Sequence, residues 1–185
     1  MFFFELIDRA KAWSAGKVWW WRLPLLLWFG YLLVRHIQDP RYNSILGPLN
    51  LGVHELGHML FGFCGKTLSV LGGTITQLAA PVFGVWNFLR QEDYFSGSLC
   101  LGWLSTNLFN VSVYMADARS MELQLVAPFG VDNVVHDWNF LLERFGLLSY
   151  DHTIAGMVWL LAVLSMLAGL VAGGWLLWQM ARSRA

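Results

Sequence analysis

Apolar residues run along this chain in long blocks separated by short polar breaks, and the blocks are too long and too continuous for an alternating sheet. Those at residues 18–34, 45–64, 74–89, 95–115 and 154–178 are close to the length a helix needs to cross a bilayer core, about 17–25 residues. The pattern therefore predicts an all-α integral membrane protein with about five crossings, built as a single domain over residues 1–185. Trp19, Trp20 and Trp21 open the first block as an interfacial belt, with Arg22 able to reach the headgroups. Residues 1–17 mix Phe2, Phe3 and Phe4 with Glu5, Asp8, Arg9 and Lys11, a pattern that suits a helix lying in the interface.

The breaks carry turn chemistry. Asp39-Pro40 and Asn43 disfavour helix, and Arg90-Gln91-Glu92-Asp93 divides the third block from the fourth. After Gly65-Lys66, residues 67–73 alternate polar and apolar before the pair Gly72-Gly73, which predicts a short re-entrant β-hairpin. Residues 120–152 form a polar loop before the last crossing.

Composition sharpens this picture. The chain is 57% hydrophobic and 13% charged, outside the range of ordinary soluble domains. Its formal net charge is zero and it has no basic run, so no nucleic-acid partner is expected. Cys64 and Cys100 fall in apolar stretches on opposite faces of the expected topology and are read as unpaired packing residues. No small-residue cleavage site follows the first apolar block, so that block is expected to be retained. Arg9, Lys11, Lys17, Arg22, Lys66, Arg119 and Arg144 fall on the N-terminal side, against Arg35, Arg41, Arg90, Arg182 and Arg184 opposite. That balance places the N-terminus in the cytoplasm of a cell that carries the chain in its inner membrane.

One pattern has a strict chemical reading. In His54-Glu55-Leu56-Gly57-His58 the two histidines, four residues apart on a helix, project about 40° apart and one turn up, so both imidazoles reach one ion. Imidazole nitrogen is a favoured zinc ligand, and catalytic zinc takes three protein ligands with a position left for water. Glu55 follows the first ligand, where a carboxylate can take a proton from that water and pass it to a leaving amine. Three ionisable side chains inside one apolar helix are costly unless paired, neutral or metal-bound, which favours a single Zn2+ over two isolated histidine hydrogen bonds.

A third ligand must come from another segment. The second and fourth crossings run in the same direction, so Asp117, at the end of the fourth, lies near the depth of His58 and is the first candidate. His136 is the alternative, from a loop long enough to fold over the site, with Asp137 able to orient a ligand from behind it. Asp132, Asp151 and His152 are more remote choices. Gln77 could bind a substrate backbone in the cleft, although a hydrogen bond to a neighbouring helix is the commoner use of a membrane glutamine. Asn107 and Asn110 share a helix face and suit either a polar cleft or contact between helices.

Residues 45–119 resemble the site-2 proteases, intramembrane zinc metalloproteases with a His-Glu-x-x-His helix and a later helix bearing an asparagine and an aspartate. The resemblance implies zinc on His54, His58 and Asp117, Glu55 as catalytic base, and Asn110 in the active site. It also implies that residues 67–73, with Gly72 and Gly73, receive the substrate as an added strand, unwinding a helix whose peptide bonds lipid otherwise shields. The chain departs from the family pattern in having no proline after Asn110, Ala118 where a glycine follows the aspartate, and no PDZ-type peptide-binding insertion. The partners expected are the lipid bilayer and a membrane-protein or peptide substrate. Two other functions compete: hydrolysis of a non-peptide amphiphile by the same zinc, and a non-enzymatic scaffold whose metal is closed off by four protein ligands.

Overall fold

The computed structural model describes residues 2–124 and 135–183. Among them the chain is all-helical: α1 (Phe2–Ser14), α2 (Leu23–Gln38), α3 (Gly47–Phe61), α4 (Lys66–Arg90), α5 (Tyr94–Ala116), α6 (Asp137–Arg144) and α7 (Asp151–Arg182). Pro24 and Pro48 sit in the first turns of α2 and α3, where a missing backbone N–H leaves no bond unmade. Asp93 caps α5, accepting the Ser96 backbone N–H at 3.2 Å and its hydroxyl at 2.6 Å. Two helical segments, Lys66–Arg90 and Leu148–Arg182, are long and apolar enough to cross a membrane.

No strand occurs among the described residues, and the hairpin expected at 67–73 is instead the first turns of α4. The turn lies earlier, at Gly65, whose φ of +85° only glycine adopts without strain. Gly72 and Gly73 serve close helix packing. A Cβ on Gly72 would stand 2.7 Å from Phe61, and one on Gly57 would run into the Gly72 carbonyl, so α3 and α4 approach nearly backbone to backbone. Paired glycine reads as a turn in sequence, yet here it removes the side chains that would hold two helices apart.

The residues group into two compact units. One comprises Met1–Asp39, Pro81–Ser105 and Val163–Ala185, with a core of Ala10, Tyr94, Phe95, Leu176, Leu177 and Met180. Within it Gly102 packs on the Phe29 ring, Gly169 on the Ser98 carbonyl, and Ser165 donates to Leu101 O at 2.8 Å. Cys100 is buried in this unit. The other unit, Pro40–Ala80 with Thr106–Ala162, is built on Val70, Val111, Met115, Trp138, Leu141 and Leu142, and it carries the chemistry. Cys64, in this unit, is exposed and not a packing residue.

Helix α6 lies in the stretch expected to be loop. Its apolar residues Trp138, Leu141 and Leu142 are buried at helical spacing, with Asp137 in the first turn and Arg144 in the last. A left-handed Gly146 ends it, with Leu147 N–H donating to Leu142 O at 2.7 Å and Gly146 N–H to Glu143 O at 3.0 Å. At the other end the His136 side chain accepts the Asn139 N–H, so both ends of this short helix are closed by specific hydrogen bonds.

Candidate metal centre

His54 and His58, one turn apart on α3, turn their rings toward each other with centroids 4.7 Å apart. The outer nitrogen of each is committed. His54 Nδ1 donates to Gln77 Oε1 on α4 at 2.9 Å, and His58 Nδ1 donates to the Ser69 carbonyl at 2.9 Å. These bonds select the tautomer that leaves each Nε2 lone pair free, the arrangement outer partners impose on metal-binding imidazoles. Both Nε2 atoms then face one carboxylate oxygen: Asp137 Oδ2 is 2.9 Å from His54 Nε2 and 3.2 Å from His58 Nε2.

Two imidazole nitrogens and a carboxylate oxygen within 4.8 Å of one another form a group that could hold a metal ion. Without a cation, each Nε2 can bond to the carboxylate only by carrying a second ring proton. A divalent ion bound by the three donors would take the place of those protons, and an N2O donor set is of the kind that suits zinc. Burial alone would raise the Asp137 carboxyl, but hydrogen bonds from His54 and His58 outweigh it and hold the group below its ordinary value.

The space for this arrangement comes from Gly73. A Cβ there would lie 2.6 Å from His54 Nε2 and 2.7 Å from His58 Cε1. In front of the site opens a cavity of about 1100 Å3, lined by His54, Glu55, His58, Gln77, Asn110 and Tyr114 on its polar side. Pro48, Leu51, Leu56, Met59, Val111 and Val135 supply apolar walls.

Asp117, first among the sequence candidates for third ligand, is occupied elsewhere. Its Oδ1 accepts from Ser120 Oγ at 2.7 Å and Glu122 N at 3.0 Å, and its Oδ2 from Leu123 N at 3.1 Å and His136 Nε2 at 3.3 Å. Those bonds outweigh the opposing effect of burial and hold this carboxyl low as well. His136 is also fully engaged, since its Nδ1 accepts the Asn139 N–H at 3.2 Å as the cap of α6. The structure thus brings Asp137, rather than Asp117 or His136, to the histidine pair. Asp117 and His136 form a latch behind it.

Of the remaining candidates, Gln77 lines the cavity and makes the interhelical bond to His54, while Asn110 lines the cavity and accepts from Asn50 Nδ2 at 2.7 Å. Gly72 and Gly73 lie on α4 against α3. Asp151 pairs with Arg119 at 2.7 Å, His152 is exposed, and Asp132 lies outside the described residues. Asp137 carried one signal in the sequence: it directly precedes Trp138, Leu141 and Leu142, apolar residues at helical spacing. Compared with models of known protein families, with curated proteins and with solved structures, the chain matches none.

Proposed function

We propose that this chain is a multi-pass membrane zinc metalloprotease of site-2 protease type, with its N-terminus in the cytoplasm, cleaving peptide bonds in or near membrane-spanning segments. The observation that carries the reading is the convergence of His54 Nε2 and His58 Nε2 on Asp137 Oδ2, with both Nδ1 atoms tied back to α4. A buried acid and two oriented imidazoles at one point favour a bound cation over a structural hydrogen bond.

The distribution of polarity supports the membrane. Asn50, Gln77, Thr106 and Asn107 are buried, whereas Leu56, Met59 and Leu60 on α3 and Leu160, Leu161 and Leu164 on α7 are exposed. Apolar surface of that extent is stable against lipid and a liability in water.

Zinc held by His54, His58 and Asp137 would supply Lewis acidity toward water and a substrate carbonyl. Glu55, on the same cavity wall, receives the proton that the water gives up and returns it to the departing amine nitrogen. As the water oxygen bonds to the carbonyl carbon, the C–N bond breaks and the amine leaves protonated. Asp117 and His136 would act through the cap of α6, holding Asp137 in place. The three donors among the described residues fit an open catalytic site better than a closed structural one.

The helical course of residues 67–73 offers no sheet edge for strand addition, so a substrate segment would lie along the cavity between its apolar walls and the Asn110 and Gln77 amides. The same apolar walls favour, as a second reading, hydrolysis of an amphiphile other than a peptide. Purified protein in detergent, incubated with helical membrane-spanning peptides and in parallel with lipid esters and amides, separates the two. Glu55→Gln should keep its metal and lose activity by roughly 100-fold or more on the true substrate. An unchanged rate in Glu55→Gln would remove the proposed base.

A further inference from the structure

Tyr114 lies four residues after Asn110 on α5, and both residues line the cavity. Its ring is wedged between two imidazoles, at 4.3 Å from His136 and 6.3 Å from His54, centroid to centroid. Its hydroxyl oxygen accepts the backbone N–H of Asp137 at 3.0 Å. The oxygen is therefore tethered to the residue whose carboxylate completes the metal-binding group. Accepting that bond fixes the hydroxyl and polarises its own O–H, which makes no hydrogen bond among the described residues.

The hydroxyl is thus held beside Asp137, on a side chain that lines the cavity in front of the histidine pair. We propose that Tyr114 is a catalytic residue: its O–H donates a hydrogen bond to the substrate carbonyl oxygen as water adds and negative charge collects there. This rests on the hydrolytic reading above. The phenol keeps its proton throughout; the proton from water travels by Glu55 to the amine, so the step balances without transfer at Tyr114. Donors of this kind act by being already aimed at the position where charge appears, and removal of one slows turnover about 10²- to 10³-fold.

The test uses the full chain in detergent and has a readout independent of turnover. Wild type and Tyr114→Phe are loaded with zinc, their metal content is measured, and each is titrated calorimetrically with acetohydroxamate, which binds zinc through oxygens that occupy the carbonyl position. Tyr114→Phe should hold one zinc as wild type does, bind acetohydroxamate roughly tenfold more weakly, and show a lower kcat with KM unchanged. Equal acetohydroxamate affinity in a zinc-loaded Tyr114→Phe overturns this role and leaves the metal site standing. Loss of zinc from Tyr114→Phe reduces Tyr114 to a support for Asp137. Wild type that takes up no zinc overturns the hydrolytic reading together with this one. Should Tyr114→Phe not fold, 3-fluorotyrosine at position 114, a stronger donor of the same shape, should bind acetohydroxamate at least as tightly as wild type; weaker binding contradicts the proposal.

Discussion

Asp137 and His54 lie 83 residues apart in the chain, and their side chains meet at 2.9 Å. The meeting depends on α6, because Asp137 is the first residue of that helix and the His136 cap sets the direction in which its carboxylate leaves the backbone. His136 is held in turn by Asp117, so a chain of hydrogen bonds runs from the end of α5 to the histidine pair.

Gln77 orients His54 from behind, and loss of that acceptor should loosen the site without emptying it. Gln77→Leu is expected to weaken zinc binding about 10- to 100-fold, as removal of such outer partners does elsewhere. Competition with a fluorescent chelator measures this, and an affinity equal to wild type would show that the 2.9 Å bond does not set the His54 tautomer.

Gly73 is the position where a single methyl group should do most harm. Gly73→Ala puts a Cβ against both imidazoles and the backbone of α4 cannot retreat without disturbing α3, so loss of metal with destabilisation of about 1–3 kcal/mol is expected. Gly62→Ala, in helical backbone with nothing within 4 Å of its added Cβ, is the matched control and should leave metal content unchanged. Thermal unfolding and metal analysis on both variants check the contrast.

Asp117 should make part of the stability depend on acid. Burial opposes its ionisation, yet the bonds from Ser120, Leu123, Glu122 and His136 prevail and hold its carboxyl below the ordinary 3.8. The folded state therefore binds this proton less readily than the unfolded chain. Its contribution is complete above the ordinary value and fades as pH falls through the lower, folded one. Asp117→Asn should reduce stability at neutral pH by about 1–3 kcal/mol and flatten the acid limb of a stability–pH curve. An unaltered acid limb in Asp117→Asn would show that these bonds are not maintained in solution.

The sequence carried some of this plainly and some not at all. His54 and His58 were legible because helical spacing alone puts them on one side of α3. Helices over the apolar blocks were legible from the length and continuity of those runs, and among the described residues two helical segments are long and apolar enough to cross a membrane. Gly72-Gly73 misled, since the same dipeptide permits a turn and a close helix contact, and only the neighbouring α3 decides between them. In the sequence Asp137 reads only as support for another ligand, because which of two adjacent polar residues faces inward depends on the cap of an eight-residue helix hidden in a polar stretch. Asp117 drew notice as an acid at the right depth, but its bonds to its own loop are invisible until that loop is folded.

Metal analysis of purified wild type, Asp137→Ala and Asp117→Ala, each shown to be folded, tests the central claim most directly. The account predicts one zinc per wild-type chain, little or none in Asp137→Ala, and zinc largely retained in Asp117→Ala, whose defect should be stability. Metal-free wild type, or zinc kept by Asp137→Ala and lost from Asp117→Ala, would contradict it.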